Sequence, residues 1–75
     1  MMSKGEYRVG IAFNPSNDDT VGKIKRAAAN LIDLIETIEA SAPSDIPRLK
    51  ALAQTEVESA AMWAVKAATK QPMEG

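Results

Sequence analysis

From Tyr7 to Phe13 the larger side chains recur at every second position, Tyr7, Val9, Ile11 and Phe13, the period of a strand with one buried face. The pattern predicts a short extended arm over residues 1–15. No second segment has this period, so a strand here would pair with another copy of the chain or lie across helices. Phe13-Asn14-Pro15-Ser16 ends the alternation. Ser16 followed three positions on by Asp19 has the spacing of a capping box with a shortened acid. A helix is therefore predicted over 16–40, with Val21, Ile24, Ala28, Leu31, Ile35 and Ile38 stepping by three and four along one seam. Ala27, Ile32 and Leu34 widen that seam, while Asp33, Glu36 and Glu39 populate the outer side. Ser41-Ala42-Pro43-Ser44 ends the helix, because proline disfavours helical geometry at the residue before it.

A second helix is predicted over 44–70, with Ser44 as its cap, Asp45 in its first turn and Pro47 early enough to be tolerated. The short connection makes the pair an antiparallel hairpin. The fold class is thus all-α, a two-helix hairpin with a short extended N-terminal arm. Helix two is apolar or small on two opposite stripes. Leu49, Ala53, Val57, Ala60, Ala64 and Ala68 form one; Leu52, Thr55, Ser59, Met62, Lys66 and Thr69 form the other, with Trp63 beside it. One helical partner cannot cover both, so a helical homo-oligomer is expected, its core completed between protomers.

Composition sharpens this expectation. At 75 residues the chain is one domain and buries only about 60% of its unfolded surface. It has no Cys and no His, so disulfides, thiolate metal sites, zinc fingers and Ser-His or Cys-His nucleophiles are excluded. Neither a cofactor nor a metal is expected. Nine basic and ten acidic residues give a net charge of −1, which lacks the positive field of a duplex DNA or RNA binder. The polar start of the chain has no apolar core of a secretory signal and no apolar run reaches about 20 residues, so a soluble protein away from membranes is expected.

Candidate chemistry is confined to a few residues. Phe13 stands just before the predicted helix, beside Asn14, Pro15 and Ser16, where a base could stack on the ring and free first-turn amides could meet its edge. The same ring could equally be a hydrophobic staple. Lys23 and Arg26 point to water, while Lys25 lies on the shoulder of the seam, placed either to reach an anion at an interface or simply to snorkel. Lys66 is a lone charge in an uncharged stripe. In a symmetric assembly its copies could converge around an anion, or the stripe could be plain outer surface. Glu56 and Glu58 face apart on a helix and make no catalytic pair.

The run FNPSNDDTVGKIKRAAANLIDLI, followed by LAQTEVESAAMWAVKAATKQP, resembles the phage hairpin domain shared by the second anti-CBASS and the first anti-Thoeris proteins. The likeness covers residues 13–72 and rests on Phe13, Ile24-Lys25, Leu52-Ala53, Thr55, Met62, Val65, Lys66 and Pro72. It implies a helical hexamer that sequesters cyclic nucleotide signals of bacterial antiphage systems, in the cytoplasm of the infected host. It further implies that an aromatic and a lysine matching Phe13 and Lys25 hold cyclic dinucleotides between protomers. Some relatives hold cyclic trinucleotides near a threefold axis with a basic residue matching Lys66, where Thr69 and Lys70 could join. Many relatives carry Tyr-Arg at the aromatic position and arginine in place of Lys66. Anti-Thoeris relatives, which bind cyclic ADP-ribose isomers, usually have a larger N-terminal part. A non-catalytic sponge is the leading expectation; a small helical module binding a host or phage protein through Met62 and Trp63 is the rival.

Overall fold

The computed structural model describes residues 1–13, 19–40 and 44–70. Three helices carry the fold: α1 (Lys4–Val9), α2 (Asp19–Glu36) and α3 (Ile46–Thr69). Among the described residues there is no strand.

The extended arm is replaced by α1, and local chemistry explains why. Ser3 accepts from the Glu6 backbone N–H at 3.1 Å while Glu6 accepts from the Ser3 backbone N–H at 2.9 Å, a complete capping box. Gly10 closes the helix in the left-handed region at φ 65°, its N–H directed to the Glu6 and Tyr7 carbonyls. The alternation of Tyr7, Val9, Ile11 and Phe13 marks no common face: Tyr7 and Phe13 are exposed, and Val9 and Ile11 only half-buried. Tertiary contact then fixes α1 onto α2. A Cβ on Gly5 would lie 2.1 Å from the Ala29 carbonyl oxygen, so only glycine permits this approach. The Gly5 N–H, an orphan donor of the first turn, is met by Asp33 Oδ1 at 2.7 Å.

On α2 the buried positions are Val21, Lys25, Ala29 and Ile32, displaced from the expected Val21–Ile24–Ala28–Leu31 seam. The displacement has a cause: α2 is covered by α1 as well as α3, so its buried stripe lies where it can face both. Leu31, Leu34 and Ile38 remain exposed. The helix stops short of residue 40, as Thr37 and Ile38 make i−3 hydrogen bonds to Leu34 and Ile35. Lys50 then donates to the Glu36 and Ile38 carbonyls, at 3.0 and 2.6 Å, and so closes the C-terminus of α2 from α3.

Asp45 is the N-cap of α3 rather than a first-turn residue, and makes no side-chain cap bond. Ser44 supplies that acceptor, its Oγ 2.9 Å from the Ile46 N–H. The expected stripes of helix two also need correction. Its two buried residues are Gln54 and Ala61, which belong to neither stripe. Gln54 Nε2 donates to the Ile32 carbonyl at 3.1 Å and to Glu36 Oε1 at 2.9 Å. A polar residue is admitted to the core because both bonds wait for it there.

Ion pairs brace the outside. Lys4 meets Glu36 at 2.9 Å and Arg26 meets Glu6 at 2.9 Å. The Lys4 ammonium, followed by the Gln54 amide, holds the Glu36 carboxyl down to about 2. The Ser3 N–H, followed by Arg26, lowers that of Glu6. No helix of the described residues is long and apolar enough to cross a membrane.

Candidate functional site

The turn that closes α1 also builds the site. Past Gly10 the Phe13 N–H returns to the Gly10 carbonyl at 2.9 Å, folding the segment back toward α2. Lys25, nearly two turns into α2, passes beneath this fold. Its Nζ donates to the Gly10 carbonyl at 3.0 Å and to the Phe13 carbonyl. At 7% exposure Lys25 is a buried cation whose charge is answered by backbone dipoles, not a residue on the shoulder of a seam. Two of its three N–H donors are thereby used, and the ammonium lies 5.3 Å from the centre of the Phe13 ring. Phe13 itself is 70% exposed, so its ring is held by its backbone and by Lys25 while its face stays open.

Beside this pair is a cavity of about 270 Å³. Its apolar walls come from Val9 of α1, Phe13, and Ala61, Met62 and Val65 of α3. Three charged side chains share the lining: Lys25, Arg8 and Glu58. Arg8 Nε is 2.7 Å from Glu58 Oε1, and Arg8 Nη2 is 3.3 Å from Thr55 Oγ1. Elements from all three helices therefore meet at one concavity in which an aromatic face, apolar walls and two cations converge. That combination suits a planar, anionic ligand better than a purely apolar one. Among the described residues, no three His, Cys, Asp or Glu side chains gather as metal ligands would.

Of the expected site residues, Phe13 and Lys25 come together here. Asn14, Pro15 and Ser16 lie outside the described residues. Lys66, Thr69 and Lys70 lie elsewhere, exposed toward the C-terminal end of α3. Lys66 Nζ stands 5.6 Å over the Trp63 ring, and the Thr69 hydroxyl donates to the Val65 carbonyl at 2.8 Å. None of the three lines the Phe13 cavity. Sequence reasoning missed Arg8 and the use of Glu58. The signal for Arg8 was present, since Ser3-x-x-Glu6 and Gly10 together delimit a short helix whose last turn contains it. Glu58 carried no such signal, because only the crossing of α1 over α3 brings Arg8 to it.

Comparison with known proteins agrees with this architecture. The family model of the Acb2/Tad1 hairpin domain matches residues 5–69, which includes all of α2 and α3 and most of α1. No curated protein and no solved structure matches the chain. A match over so much of the sequence, on a three-helix fold that sets an aromatic and a lysine side by side, identifies the chain as a member of the Acb2/Tad1 hairpin-domain family.

Proposed function

We propose that this protein is a phage anti-defence sponge: it binds and sequesters cyclic oligonucleotide second messengers without cleaving them, and so blocks CBASS signalling in the cytoplasm of the infected bacterium. Membership in the family supports the class of activity. The observation that carries the reading to this chain is the Phe13–Lys25 pair at the mouth of an apolar cavity. A base stacks on the open Phe13 face, a contact worth about 1–3 kcal/mol per base, and its phosphate takes the remaining N–H of Lys25. The carbonyls of Gly10 and Phe13 hold the ammonium in place before ligand arrives, which lowers the ordering cost of binding.

In this reading Asn14, Pro15 and Ser16 complete the cyclic dinucleotide site, and Lys66, Thr69 and Lys70 serve a separate cyclic trinucleotide site. The antiparallel hairpin assembles as a homohexamer. Exposed Met62 and Trp63 support such an assembly, being 67% and 66% exposed in the single chain. No acid, base, metal or cofactor is required, because sequestration breaks no bond.

Calorimetric titration against a panel of cyclic dinucleotides, cyclic trinucleotides and cyclic ADP-ribose isomers tests the proposal. Saturable binding of a cyclic dinucleotide, with intact ligand recovered after denaturation, is expected. Conversion of the ligand would make the protein an enzyme, and binding of cyclic ADP-ribose isomers alone would reassign it to Thoeris signals.

A further inference from the structure

The cavity holds a second cation beside Lys25. Lys25 and Arg8 contribute two positive charges and Glu58 one negative, a net of +1. In a site shared between protomers each phosphate of a cyclic dinucleotide meets one Lys25, and that lysine is buried with two of its three N–H groups on carbonyls, so it leaves phosphate oxygens unmet. Arg8 is the other cation of the lining, its side chain 21% exposed, and among the described residues it uses Nε on Glu58 and Nη2 on Thr55. Its Nη1 edge is left for a ligand. Arginine's planar fork suits a phosphate, and it exchanges one oxyanion for another without leaving its plane.

Resting on the anionic-ligand reading above, we propose that Arg8 is the second phosphate-binding residue of the site and that Glu58 is its internal counter-ion, a carboxylate the ligand phosphate must displace or share. Glu58 then sets affinity from below. It holds Arg8 in position across the cavity in the empty protein and competes with the phosphate on binding. The placement fits: the 2.7 Å Arg8–Glu58 contact joins α1 to α3 at the cavity itself.

The test uses the sign of two substitutions. Glu58→Gln keeps the shape and an acceptor for Arg8 but removes the charge; Arg8→Gln removes the cation. A counter-ion role predicts opposite effects on cyclic dinucleotide affinity. Glu58→Gln should tighten binding about threefold to tenfold, the scale of one unit charge moved within a partly solvated site, and make it more salt-sensitive. Arg8→Gln should weaken it at least tenfold. A merely structural pair predicts the same sign for both, since either variant breaks the same contact. Melting temperatures accompany each titration. If either variant fails to fold, the Arg8 Nε–H resonance of the wild-type protein decides instead: it should shift on saturation with ligand, and an unmoved resonance overturns the proposal. Wild-type protein that binds no cyclic dinucleotide would overturn this inference and the proposed function together. Binding that is lost in Phe13→Ala, yet moves in one direction in both Arg8→Gln and Glu58→Gln, would overturn only the Arg8–Glu58 assignment.

Discussion

Two lysines two positions apart on α2 show how differently one residue type is used. Lys23 is exposed and pairs with Asp19 at 3.2 Å within one turn, a contact of small value in water. Lys25 is buried among carbonyls and beside an aromatic ring. Lys25→Met, which keeps the stem, is expected to cost about 2–4 kcal/mol by removing two charge-assisted hydrogen bonds, and to weaken cyclic dinucleotide binding. Lys23→Ala is expected to stay within about 0.5 kcal/mol on a denaturant melt and to leave affinity unchanged. Equal effects at the two positions would mean that generic charge, not a placed contact, is at work. That Lys25 differs from its neighbours was legible in the helical spacing. Its burial was not, because the group that buries it is the turn after α1, a helix hidden behind an accidental period of two. Glu36 gives a second residue-scale expectation. Its carboxyl is held down to about 2 by Lys4 and then Gln54, below its ordinary 4.5, so the stabilisation is complete above pH 4.5 and is lost as pH falls through the folded value. A melt series from pH 5 to pH 2 should show this loss, and Glu36→Gln should flatten that part of it.

α1 and α2 are each closed by something outside themselves. The Gly10 turn after α1 is tied down by Lys25, the end of α2 by Lys50, and the Gly5 N–H of α1 by Asp33. The two long helices were readable from their spacing of apolar positions. The C-terminus of α2 falls at Glu36, short of residue 40, where Lys50 and not propensity closes it. The short helix was legible only from its capping residues, since six residues carry too little periodicity to outweigh an alternating run. Its docking gives a sharp expectation. Gly5→Ala places a methyl against the Ala29 backbone, where no rotamer change relieves it, and should lower stability by about 1–3 kcal/mol. Loss of the α1 contact should also open the cavity wall that Arg8 and Val9 form, so ligand affinity should fall with stability. Gly10→Ala meets only an ordinary van der Waals contact, Phe13 Cβ 3.8 Å away, and should cost about 1 kcal/mol through its positive φ alone. Thermal melts of the two variants side by side check the difference.

The whole molecule is one layer of helices. Its Cα extents are 56 × 30 × 12 Å and its radius of gyration is 14.7 Å, against about 11 Å for a compact chain of this length. Its accessible surface of 5678 Å² likewise exceeds the roughly 4,450 Å² of a monomer of its mass. Only Val21, Ala29, Ile32 and Ala61 are buried apolar residues among those described, while Leu34, Leu49, Leu52, Met62 and Trp63 face outward. These outward-facing apolar side chains support the homo-oligomer proposed above. Sedimentation at micromolar concentration should therefore give a multiple of the 8.0 kDa chain, and Leu52→Glu together with Trp63→Glu should reduce it. The candidate site was half legible: Phe13 and Lys25 could be named from a motif and the helix that carries Arg8 had its capping signal, whereas Glu58 needed the crossing of helices far apart in sequence. The most direct measurement is a titration of wild-type protein and Phe13→Ala with a cyclic dinucleotide, followed by denaturation and recovery of the ligand. Saturable wild-type binding, at least a tenfold loss in Phe13→Ala and full recovery of unaltered ligand are predicted. Absence of wild-type binding, equal affinity in the variant, or recovery of a cleaved product would contradict a sponge built on Phe13 and Lys25.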